Sequence, residues 1–136
     1  MNWKTEAVDR LQRYNALQQA LLTMPKELKR LALEADALRD SRKNTRQGQN
    51  MLLDNLVMQQ QLQRALEQAE LFVSVTDQAL NALKPEEIQL LKRLVMDSQW
   101  GNGNELLIDL GVARSTLYKK RDKALRKFAL ALYGNS

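Results

Sequence analysis

From Asn2 to Asp40 the apolar residues recur at alternating intervals of three and four: Trp3, Ala7, Tyr14, Leu17, Leu21, Met24, Leu28, Leu31, Ala35 and Leu38, with Arg10 standing in the series. A repeat held over roughly five heptads predicts a long helix with a narrow seam of the coiled-coil kind. Pro25 falls inside it, and proline in a helix interior costs about 3 kcal/mol. The pattern therefore predicts either a break, with Thr23 capping a second helix from near Met24, or one kinked helix. The heptad phase is the same on both sides of Pro25, so both halves face one partner. The stretch DSRKNTRQGQN, residues 40–50, is polar and without period, and predicts the tip of a helical hairpin. Its cations, Arg39, Arg42, Lys43 and Arg46, suit a solvated tip better than a second nucleic-acid contact. A second stripe follows from about Met51 to Leu83: Leu52, Leu62, Leu66, Ala69, Val73, Thr76, Leu80 and Leu83, widened by Ala65, Phe72 and Ala79. The glutamines between Gln59 and Gln63 predict weaker packing in its first half. Residues 1–83 thus form an antiparallel helical hairpin. The same seams could join subunits, so a homo-oligomer is expected, with a dimer the favoured form.

The period changes in residues 84–136. Pro85, Glu86 and Glu87 suit the positive end of a helix, and Ile88, Leu91, Leu94 and Val95 give it a buried face. SQWGNGN breaks the chain, Asn104 caps a short helix ELLIDL, Gly111 ends it, and a last helix runs from about Arg114 to Leu132. A short helix, a glycine turn and a basic helix together form a helix-turn-helix signature. Leu107, Leu110, Val112, Leu117 and Ala124 would knit the two helices together. Ser115, Tyr118, Lys119 and Asp122 then share the outer face, at i, i+3, i+4 and i+7. Thr116 and Ser115 suit first-turn capping or phosphate contact equally, and Tyr118 suits packing against Trp100 or a base contact. Arg114, Lys123, Arg126 and Lys127 are placed for phosphates.

Composition adds exclusions. Five glycines, two prolines and 5% aromatic residues mark an all-α chain, with too few rings for a base-stacking sheet. There is no cysteine and no histidine, hence no disulfide, no thiolate or imidazole metal site, and no usual general base. No phosphate-binding glycine loop occurs. The chain is expected to be no enzyme and to need no cofactor or metal. MNWKTEAVDR is charged rather than apolar, so neither a signal peptide nor a membrane anchor is expected, and the location expected is the cytoplasm. The net charge is only +5. Arg114, Lys119, Lys120, Arg121, Lys123, Arg126 and Lys127 face the single acid Asp122, so this segment carries more positive charge than the whole chain and the remainder is slightly negative. Basicity gathered in one helix is the footprint of a polyanion partner, here double-stranded DNA.

The segments LKPEEIQLLKRLVM and NELLIDLGVARSTLYKKRDKALRKF resemble region 4 of bacterial sigma-70 factors. The whole chain, with its N-terminal helical stretch, is similar to small phage regulators of the ArpU and RinA type. The resemblance implies DNA binding through the last helix, with Arg114, Ser115, Tyr118 and Lys119 near bases or phosphates, and control of phage or prophage late genes. The chain departs from the family pattern at Ala113, where a Ser or Thr cap is usual, at Leu107, where a small residue is usual at the helix-helix contact, and at Lys120, where an aliphatic residue is usual. Two other readings remain beside the regulator. One is an oligomeric DNA-packaging adaptor of the small-terminase kind. The other is a sigma-like partner of RNA polymerase, although no second promoter-reading segment is present.

Overall fold

The computed structural model describes residues 2–41, 45–96 and 113–134, and every element in them is helical. Helix α1 spans Trp3–Asp40, α2 Arg46–Leu80, and α3 Pro85–Leu91, which passes into a π-helical turn Lys92–Met96. Helix α4 spans Arg114–Gly134. The sequence reading of SQWGNGN, the helix ELLIDL, Gly111 and Val112 lies outside the described residues, as do Trp100 and the tip residues Arg42 and Lys43. Among the described residues no helix is long and apolar enough to cross a membrane.

Helix α1 is one helix through Pro25. Thr23 does not cap a new helix: its hydroxyl donates back to the Ala20 carbonyl at 3.3 Å. Pro25 is exposed while Leu21, Met24 and Leu28 around it are half-buried, so the ring lies on the outer side of the helix. Helix α2 starts five residues before the predicted Met51, because Thr45 acts as its N-cap, its hydroxyl accepting from the Gly48 N–H at 3.1 Å.

Grouped by compactness, the chain divides otherwise than at the 83/84 boundary of the hydrophobic pattern. Residues 17–71 form one unit, and residues 1–16 with 72–136 form the other. The reason lies in the partners: the first turns of α1 and the last of α2 pack with α3 and α4, and a boundary drawn where the period changes cannot register that.

In the 17–71 unit the two helices run back along each other. Leu31, Ala35, Leu66 and Ala69 are buried between them. Asn55 is buried too, 3% exposed, and donates to the Leu31 carbonyl at 3.0 Å. Gln59 donates to Asn55 at 2.7 Å and reaches the same carbonyl at 3.5 Å. The stripe of α2 therefore runs Leu52, Asn55, Gln59, Leu62, Leu66, Ala69 without a gap. The two positions missing from the apolar count are filled by amides that satisfy each other.

The other unit has a broader core. Leu11, Leu91, Leu117, Leu125 and Phe128 are fully enclosed, and Thr76 with them, its hydroxyl donating to the Phe72 carbonyl at 2.7 Å. Arg10, the residue that stood in the apolar series, is itself packed. Its guanidinium lies 4.2 Å from the Phe72 ring centroid and donates to Thr76 at 3.0 Å. Burial and then neighbouring Arg13 lower its pKa. Tyr14 donates its hydroxyl to Asp77, and the Asn15 amide donates to the Met96 carbonyl at 3.2 Å, taking up an orphan acceptor of the π turn.

Candidate nucleic-acid interface

Helix α4 begins where the Ala113 carbonyl accepts the Leu117 N–H at 3.0 Å. Ala113 is thus the N-cap residue and offers no side-chain acceptor to the first-turn N–H groups. Leu117, Ala124, Leu125, Phe128 and Ala129 are buried. They recur at helical spacing and fix which way the rest of α4 points. Arg114, Ser115, Thr116, Lys119, Lys120, Lys123 and Arg126 are exposed, Tyr118 is 43% exposed, and Arg121, Asp122 and Lys127 are half-buried.

At about 100° per residue the predicted set, Arg114 apart, falls on two flanks of the helix, and Arg114 projects at the helix start on the side of Leu125. Thr116, Lys123 and Lys127 share one flank with Lys120. Ser115, Tyr118, Asp122 and Arg126 lie on the other, with Lys119 between them. The second flank carries the first turn of α1. Lys4 forms an ion pair with Asp122 at 2.9 Å, the Arg126 guanidinium lies 5.9 Å from the Trp3 ring centroid, and the Tyr133 hydroxyl donates to Glu6 at 2.7 Å. Trp3, Lys4, Asp122, Lys123 and Arg126 enclose a depression of about 310 Å³. Arg121 pairs with Asp122 at 3.2 Å and lies over the Tyr118 ring, 4.8 Å from its centroid. Partial burial opposes the charge on Asp122, but hydrogen bonds from Lys4 and then Arg121 outweigh it and hold the carboxyl below its usual range. Asp122, which the sequence grouped with the outward residues, keeps 44% of its side chain exposed and is paired with Lys4 and Arg121.

Lys127 also has an internal partner, Glu87 on α3, at 3.1 Å. Glu87 accepts the Lys84 N–H at 3.0 Å as well, closing the first turn of α3. That backbone bond first, and Lys127 after it, lower its pKa. The residues that sequence reasoning passed over are Lys4 and Trp3, whose proximity to α4 is purely tertiary, and Lys120. The last entered only the charge of the basic run and the departures from the family pattern, and the structure exposes it. Among the described residues no group of three Asp or Glu side chains could hold a metal ion, and every buried side-chain polar atom is hydrogen-bonded.

The surface this builds is a helix with an apolar inner stripe, a cationic flank, and a second flank where an acid and a ring are tied to α1. It can bind a polyanion through point charges, and it offers Ser115, Thr116 and Lys119 near the helix start for more selective contacts. No family model, no curated protein and no solved structure matches the chain.

Proposed function

We propose that the chain is a DNA-binding transcriptional regulator that lays α4 in the major groove. The observation that carries this reading is the exposed row Lys119, Lys120, Lys123 and Arg126, with Arg114 exposed at the helix start, on a helix whose opposite side is locked by Leu117, Leu125 and Phe128. A helix with its side chains is about 10–12 Å across and the major groove about 12 Å wide, so such a helix enters bodily. The resemblance to sigma-70 region 4, through the segment 104–112 and α4, supports a helix-turn-helix. The similarity to phage regulators extends the reading to late genes of a phage or prophage, in a bacterial cytoplasm. RNA polymerase is the further partner this implies. A homodimer is part of the proposal, supported by Leu53, Leu56, Val57 and Met58 of α2, large apolar side chains that stay exposed close together in sequence.

The test is binding to duplex DNA across a salt series, with selection of preferred sequences from a random pool. A slope of about −4 to −5 in log K against log salt is expected if the five exposed cations meet phosphates. Replacing Arg114, Tyr118, Lys119 and Lys123 together by alanine should abolish selection. If that variant binds as wild type does, α4 is not the reading helix. Mass in solution separates the packaging alternative, since a closed ring of many subunits would favour an adaptor over a dimeric regulator.

A further inference from the structure

Helix α4 has a second cationic neighbour. Between α3 and α4 lies an open groove of about 750 Å³, lined by Lys84, Glu86, Glu87, Gln89, Leu90, Arg93, Lys120, Lys123 and Lys127. Five cations thus face two carboxylates, and one of these, Glu87, is already held by the Lys84 N–H and by Lys127. Lys84, Lys120 and Lys123 form no ion pair among the described residues. Like charges gathered in a concave wall raise one another's cost and are stabilised when an anion enters.

We infer that this groove is a seat for the sugar-phosphate backbone of the same duplex, with Lys84 and Lys120 as phosphate contacts. The inference rests on α4 entering the major groove. A helix that fills that groove has a phosphate strand along each side. On one side of α4 stands α1, where Lys4 and Arg121 share Asp122 and Arg126 lies by the Trp3 ring. On the other stands the α3 groove, where the positive charge is in excess, and Lys123 belongs both to the groove wall and to the outward row. The α3–α4 groove holds the larger excess of positive charge, so one strand runs along it, and Lys84, remote in sequence from α4, belongs to the interface. Its contribution is to affinity and registration rather than to base choice, since phosphates carry no sequence information.

The experiment compares wild type, Lys84→Ala/Lys120→Ala and Lys84→Arg/Lys120→Arg on several duplexes over a salt series, with unfolding followed in parallel. The alanine pair should lower the magnitude of the salt slope by about 1.8 and weaken every duplex alike, on the order of tenfold or more at 0.1 M salt. The arginine pair should retain the wild-type slope. If wild type binds duplex DNA and the alanine pair has the same slope and affinity, the groove is not a phosphate seat. A loss confined to one preferred sequence would also overturn it, pointing to base contact instead. If wild type binds no duplex at all, the DNA-binding reading itself fails and takes this one with it.

Discussion

Asn55 offers the sharpest energetic test of the hairpin. Its amide donates to the Leu31 carbonyl at 3.0 Å and its carbonyl accepts from Gln59 at 2.7 Å, in a site 3% exposed. Two hydrogen bonds contribute about 1 kcal/mol each, net of what water would offer. Asn55→Ala removes both and leaves a small void, against a helix-propensity gain of about 0.6 kcal/mol, so a loss near 2 kcal/mol is expected. Asn55→Leu loses the same bonds but buries a leucine at a seam position, worth about 2 kcal/mol, while half-buried Gln59 can turn to water. It should lie within about 1 kcal/mol of wild type. Urea unfolding followed by circular dichroism measures both. Light scattering adds a second readout, because a polar pair in a seam fixes register and oligomer state, and the leucine variant should populate additional masses. An alanine variant as stable as wild type would show that the amide pair contributes nothing. A leucine variant less stable than the alanine one would show that position 55 does not face the seam.

Three further outcomes follow from α4 and from Tyr14. Ala113→Ser supplies the missing N-cap acceptor and should raise stability by about 1 kcal/mol in thermal unfolding, whereas no change would mean that α4 starts elsewhere. Asp122→Asn should tighten DNA binding severalfold on all duplexes by removing a carboxylate and freeing Lys4, at no more than about 1 kcal/mol of stability for an exposed pair. Weaker binding confined to one sequence would instead make Asp122 a base reader. Burial first, and the hydrogen bond to Asp77 next, raise the Tyr14 pKa, and the bond to Glu6 raises that of Tyr133. Both hold their protons in the fold after the unfolded chain has released its own, so their contribution is full below about pH 10 and declines above it. Tyr14→Phe should flatten the loss of stability on the alkaline side, and an unchanged profile would exclude Tyr14 as its source.

The all-helical class, the hairpin and the inward stripe of α4 were legible in the residues, because helical period and turn chemistry are local properties. Leu117 and Ala124 are buried as their spacing required. Misreadings came wherever a side chain's role depends on a distant partner. Asn55 and Gln59 looked like a weak stretch, yet they complete the seam, since a polar residue can occupy a core position once the facing helix supplies a carbonyl. Arg10 looked like an interruption, yet it packs on Phe72, because its stem is apolar and its charge finds an aromatic face. Pro25 left a break and one kinked helix both open, and the 38-residue helix runs through it because the seam outweighs one lost hydrogen bond.

The basic helix itself, its position near the C-terminal end and its inner stripe were determined by the sequence alone. Which of its flanks remains open was decided only by the tertiary structure. Lys4 and Trp3 stand against Asp122 and Arg126, while Lys84 and Arg93 stand across a groove from Lys120 and Lys123. Spacing along one helix places its residues around an axis, but charge pairing between helices depends on how they pack, and period carries no record of that.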